Sequence, residues 1–260
     1  MVMVPRFLLV LFCLFSLSAA AAEPLTLVCD IWPPYQVHGD QKVSGFSTEL
    51  IREVCALAGI PITVIHAYPW KRALLMLETD QVDGLFSANH TEERTRFALY
   101  PTLPLVKSPW VLWARRDAPH AYAGLQDLRG QRIGVVRGYS YTPAFWEALT
   151  QSDSIIEEAP SDEVNFRKLS AGRLDLAVAE LHNGRFLLQQ EKLENLKPFP
   201  LHPIKTDGLY LIFNKNRVPQ ETVDRFSESL RAFKDSEAYQ VLYNHYFREN
   251  LLTLPPSPEG

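Results

Sequence analysis

The sequence predicts an α/β protein made of two lobes, each a mainly parallel sheet flanked by helices. Three observations carry this. Short apolar, strand-like runs alternate with amphipathic helical stripes, the pattern of βαβ units. The alternation stops at a long extended segment over 104–117 and begins afresh at 131. A further connection over 201–208 returns the chain to one more strand and two C-terminal helices.

In order, "LTLVCDI" (25–31) reads as a buried strand, and "STELIREVCALAG" (47–59) carries a helical stripe of Leu50, Ile51, Val54, Cys55, Leu57 and Ala58 closed by Gly59. "PITVIHA" (61–67) is strand-like, "WKRALLMLET" (70–79) helical and "VDGLFSA" (82–88) the next strand. The second series places a strand at 131–136 and a helix at 142–151 with Pro143 in its first turn. A helix follows at 161–172, capped by Ser161 and ended by Gly172, and then a buried strand at 174–180. "LYLIFN" (209–214) is the returning strand. Val223, Phe226, Leu230 and Phe233 mark one face of a helix, and another lies within 237–247 before the Pro-rich "TLPPSPEG". Two α/β lobes joined by two extended crossings leave a cleft where a ligand meets strand ends from both.

The first 22 residues stand apart. Arg6, the apolar run "FLLVLFCLFSLSAAAA" and Ala20-Ala21-Ala22 have the anatomy of a cleavable secretory signal. The expected mature chain is therefore exported. Its charge is mild, −4 over all 260 residues, with Lys and Arg dispersed, so nucleic acid is not an expected partner. No Cys/His cluster has metal-ligand spacing, and neither metal nor cofactor is expected. Cys29 and Cys55 could pair in an oxidising compartment or pack as small hydrophobes; both readings stay open.

Within "SANHTEERTRF" (87–97), strand 82–88 ends at Ser87-Ala88-Asn89, and Thr91 is placed to cap a helix beginning at Glu92. Exposed N–H groups at a helix start attract anions, and an arginine in the first turn adds a planar fork matched to carboxylate. Without an anion, Arg94 would oppose the positive end of that helix. Either Arg94 faces water beside Glu92 and Glu93, or it waits for a ligand. Trp70 and Arg72 open a helix near the cleft, where Arg72 is either a second cationic contact or a surface arginine.

Four stretches together carry a resemblance: "WPPYQVHGDQKVSGFSTELIREV" (32–54), "VDGLFSANHTEER" (82–94), "LRGQRIGVVRGYSY" (128–141) and "GRLDLAVAE" (172–180). In this order and spacing the chain resembles the periplasmic solute-binding proteins of polar amino-acid ABC importers, the extracellular solute-binding proteins of family 3. The resemblance implies the type II periplasmic-binding-protein fold, closing around one small molecule. It divides the chain into a leader (1–22), lobe 1 (23–113 and 207–260) and lobe 2 (114–206).

By the same resemblance the carboxylate-binding arginine falls on Arg94, with hydroxyl and backbone donors over Ser87, Asn89 and Thr91. Second-lobe donors fall at Tyr139 and Ser140, the ammonium-binding acid on Glu180, and the aromatic over the ligand on Trp32, with Tyr35 supporting its loop and Tyr141 a further pocket candidate. The chain departs from the family at Asn89-His90, at Tyr139 and at Glu180, where aspartate is common. The implied function is periplasmic capture of a small carboxylate, an amino acid above all, by a monomer that delivers it to a membrane ABC permease, with no catalytic residue. Two alternatives stay open. One is an enzyme like the periplasmic cyclohexadienyl dehydratases, with an acid near Glu180 as general acid. The other is a sensing module for a membrane receptor.

Overall fold

The computed structural model describes residues 23–38, 42–118 and 122–247; the leader-like segment and the Pro-rich tail lie outside them. Lobe 1 begins with β1 (Leu25–Cys29), the small hairpin β2 (Val37–His38) and β3 (Val43–Ser44), and α1 (Phe46–Leu57). It continues through β4 (Ile62–Ala67), α2 (Trp70–Glu78), β5 (Gly84–Ala88) and β6 (Ala98–Leu99). The long β7 (Val106–Arg115) leads to lobe 2, which holds β8 (Arg132–Val136), α3 (Pro143–Gln151), β9 (Ile155–Ala159), α4 (Asp162–Ser170), β10 (Leu176–Glu180), α5 (Leu181–Glu191) and β11 (Leu196–Pro198). The long β12 (Lys205–Asn214) returns to lobe 1, ending in α6 (Gln220–Lys234) and α7 (Glu237–Phe247).

Local chemistry sets these limits. In α1 the residues Phe46, Leu50, Ile51, Val54 and Cys55 form one buried stripe. The helix stops because Gly59 takes a left-handed φ of 63°, which lets the Ile60 N–H reach back to the Cys55 carbonyl. Thr142 caps α3 by accepting from the Phe145 N–H, and Ser161 caps α4 by accepting from the Val164 N–H. Cys29 and Cys55 are buried free thiols.

In lobe 1, β1 pairs in parallel with β4 and β5; in lobe 2, β8 pairs in parallel with β9 and β10. What joins them is antiparallel. Lys205–Leu209 of β12 pairs with Val106–Trp110 of β7, while Tyr210–Phe213 continues along β5 and Trp110–Trp113 continues along β10. Each crossing strand thus belongs to both lobes, and the ladder they form is the seam from which the cleft opens.

A buried aromatic anchors the second lobe. Trp113 packs against Phe166 of α4, with ring centroids 5.1 Å apart, and lies directly under Gly184 of α5. A Cβ at Gly184 would stand 2.2 Å from the indole ring, so this helix can sit on the sheet only with glycine there. Gly184→Ala should destabilise the fold by about 1–3 kcal/mol through overpacking. Chemical denaturation would register this as a lower midpoint with an unchanged slope.

Candidate functional site

The site begins at a bulge. Tyr210 and Leu211, adjacent on β12, pair with Ala88 and Phe86, which are two residues apart on β5; Ser87 is the extra residue. It takes a left-handed φ of 58°, a strained backbone for a residue with a side chain. A bulge re-aims the side chain it carries. The Ser87 hydroxyl accepts from Gln36 Nε2 and donates to Ser47 Oγ at 3.0 Å.

After the bulge the chain turns at Asn89 and folds back to present Arg94. The expected helix from Glu92 does not form; a three-residue 3-10 turn over Arg94–Arg96 stands in its place. Thr91 still acts as a local cap, its hydroxyl accepting from the Arg94 N–H at 3.2 Å. The Arg94 side chain is 6% exposed. Its Nη1 donates to the Asn89 carbonyl at 2.9 Å, and its guanidinium lies 5.1 Å from the centroid of the Trp70 ring. None of the ion pairs among the described residues includes it. Burial draws its pKa below the ordinary arginine value.

Arg94 opens into a cavity of about 390 Å³ between the lobes. Lobe 1 supplies Asp30, Trp32, Trp70 and the Phe86–Asn89 corner; the seam supplies Trp110; lobe 2 supplies Tyr139 and Ser140. Lys205 stands beside this end, donating to the Ser140 carbonyl at 2.6 Å, with its pKa lowered by burial and by the neighbouring Arg94 charge. At the acidic side, the Asp30 carboxylate accepts from the Ile31 N–H at 2.8 Å and from the Trp70 N–H at 3.2 Å, so it also caps α2. The cavity is therefore dipolar, cationic at Arg94 and acidic at Asp30.

Trp32 is the point where the lobes meet. Its ring stacks on Tyr35 at 4.9 Å and on Trp110 at 5.7 Å, and its Nε1 donates to Asp162 of α4 at 3.0 Å. Next to it, Asn183 of α5 donates through Nδ2 to the Pro33 carbonyl at 2.5 Å.

A family model described as bacterial extracellular solute-binding proteins, family 3, matches residues 25–249. The chain belongs to that family. It is 23% identical over 235 residues to the "Probable histidine-binding protein" of Campylobacter jejuni, covering 88% of each chain. A histidine kinase sensor domain with similarity to periplasmic binding proteins superposes with a TM-score of 0.73 at 23% identity, covering 87% of this chain and 97% of that one. An ancestral arginine-binding protein bound to arginine superposes with a TM-score of 0.75 at 16% identity, covering 87% and 99%. Identities this low establish a shared fold.

In this family 3 protein the cavity gathers Trp32, Trp70, Ser87, Asn89, Arg94, Tyr139 and Ser140 from the residues singled out in the sequence. Four others lie elsewhere. Tyr141 is buried, its hydroxyl accepting from the Val136 N–H at 2.9 Å. Arg72 is exposed, with its guanidinium 4.4 Å from the Tyr68 ring centroid. Thr91 serves the backbone of Arg94, as above. Glu180 is fully buried and does not line the cavity, because its Oε2 accepts from the Asn183 N–H at 2.8 Å and so caps α5. Asp30, Trp110 and Lys205 were missed. Asp30 follows a buried strand at the place where strand ends meet a cleft, and Trp110 and Lys205 lie on the two crossings; those were the available signals.

Among the described residues no helix is long and apolar enough to cross a membrane, and no group of three His, Cys, Asp or Glu could hold a metal ion.

Three carboxyls are held above their ordinary range, each chiefly by burial. Asp30 rises to about 6, against the pull of the Ile31 and Trp70 N–H groups. Asp162 rises to about 7, faced by the Trp32 indole, Tyr139 and Asp30. Glu180 rises to about 8, faced by the N–H groups of Asn183 and His182, by Tyr35 and by Asp162. Each binds its proton more tightly folded than unfolded, so its contribution is fully present in acid and is lost as pH rises through these values. The ligand-free protein should melt several degrees higher near pH 5 than near pH 8, and Asp162→Asn should flatten that slope. Thermal melts across this range in wild type and variant check both.

Proposed function

We propose that this protein captures a small amino acid reversibly outside the cytoplasm and hands it to a membrane ABC permease. The observation that carries the reading is Arg94, a buried guanidinium facing the cavity with no acid of the protein paired to it. A carboxylate accepts two parallel N–H bonds from such a fork. The same cavity exposes the Asp30 carboxyl, so a zwitterion would find both of its charges answered. Closure removes water from these contacts and strengthens them. The cavity lies where the two lobes meet, a common place for a small-molecule site.

No bond need be made or broken. A general acid must reach the reacting atom, and Glu180, the acid singled out for an enzymatic reading, is turned into the α5 cap. Incubation with a bound amino acid should return it unchanged.

The fold shared with a histidine kinase sensor domain supports a second reading, in which the closed protein reports its ligand to a membrane receptor. Crosslinking on membranes with and without ligand separates permease from receptor.

For the leading reading, a thermal-shift screen of amino acids should give stabilisation of about 2.7 kcal/mol at 100 times the dissociation constant. Arg94→Ala should weaken binding by about 2–5 kcal/mol, as expected when one member of a buried charge pair is removed. The variant should still fold. An unaltered shift would place the carboxylate elsewhere.

A further inference from the structure

The starts of α4 and α5 face lobe 1 across the cleft, and one short stretch of lobe 1 meets both. The Trp32 indole N–H donates to Asp162 of α4 at 3.0 Å. The Pro33 carbonyl accepts from Asn183 of α5 at 2.5 Å. Two residues on, the Tyr35 hydroxyl faces Glu180, the cap of α5. A further contact is apolar. Gly138, in the loop after β8, has a φ of 80°, and a Cβ there would stand 3.2 Å from Cε and 3.3 Å from Cγ of Lys71 on α2. The Lys71 stem of lobe 1 therefore lies against the backbone of lobe 2.

These polar contacts are closed to water. Asp162 is 3% exposed and Asn183 1%. Asp162 has a second neighbour in its own lobe, the Tyr139 hydroxyl, but the indole N–H reaches it only from lobe 1. Stacking on Tyr35 and on Trp110 of the seam sets the direction of that N–H. A buried polar group either keeps its hydrogen-bond partner or carries the cost of losing it. A slight parting of the lobes would break both bonds before water could replace them. Intermediate separations are therefore unfavourable, and the cleft has two arrangements, latched and open. Every partner in the latched one belongs to the protein, so no third molecule is needed to bridge the lobes.

We infer that the Trp32–Asp162 and Pro33–Asn183 bonds form a latch that holds the lobes together whether or not the Arg94 cavity is filled. Closure by itself then does not report a filled cavity. A ligand shifts the balance only by the difference in its affinity for the two arrangements. The latch is independent of which ligand the cavity takes and of the function proposed above.

Distance measurement between spin labels on the ligand-free protein tests it. Labels at Arg72→Cys on α2 and Ala144→Cys on α3 occupy exposed positions on opposite lobes, while Cys29 and Cys55 are buried. Unfolding, dialysis and refolding before labelling remove any small molecule carried through purification. In this labelled background the short separation should exceed the long one at least about tenfold. Asp162→Ala and Asn183→Ala should each raise the share of the long separation about fivefold, the loss of one hydrogen bond, and the double variant should be mainly open. Asp162→Asn, whose amide oxygen still accepts from Trp32, should stay latched. Asn183→Ala serves if Asp162→Ala does not fold. A background protein found mainly at the long separation, alanine variants that keep the short one, or Asp162→Asn as open as Asp162→Ala would overturn the latch. Each of these results would leave the Arg94 reading intact.

Discussion

A guanidinium held out of water and outside every ion pair of the described residues is the constraint around which the site is built. Burying an unpaired charge is among the least favourable arrangements a fold can keep. Here one carbonyl, that of Asn89, and one aromatic face, that of Trp70, support Arg94, which borders the cavity. That support depends on local strain. The left-handed Ser87 creates the bulge that ends β5, and the bulge turns Asn89 back toward the arginine. Strain of this kind persists only where surrounding structure enforces it, and here the Gln36–Ser87–Ser47 chain of side chains does so.

The seam converts this local device into a two-lobed one. Because β7 and β12 pair with each other and then continue into β10 and β5, the lobes share a continuous ladder along the seam. Trp110, on that ladder, stacks on Trp32, so the aromatic floor of the cavity is tied to the seam. Asp162 and Asn183 then close on Trp32 and Pro33 from lobe 2. Cavity, seam and lobe contact form one connected structure.

Much of the fold was legible in the sequence because period and punctuation agree. The stripe of α1 ends at its glycine, and Thr142, Ser161 and Gly172 mark the helix ends of lobe 2. Several elements were not, among them the short β2, β3 and β6 and three others. α5 has Gly184 in its middle and a glutamate as its cap, and neither is a usual helix signal; its reason is the Trp113 ring beneath it. β9 carries Ile155 and Ile156 exposed at a sheet edge, and β11 is only three residues long. In the site, Arg94, Trp32 and the Tyr139–Ser140 loop were readable from family resemblance. The role of Glu180 was not, since a strand-end acid can face a ligand or a helix, and only the position of α5 decides. Asp162 read as the second residue of an ordinary capped helix. Its burial depends on Trp32, 130 positions away in sequence, and no local pattern reports a contact of that range.

The most direct measurement is a crystal structure of the protein with a bound amino acid. The account predicts the ligand carboxylate within hydrogen-bond distance of both outer nitrogens of Arg94, with Glu180 still capping α5. A guest seated away from Arg94, with that guanidinium unpaired or turned to solvent, would contradict it.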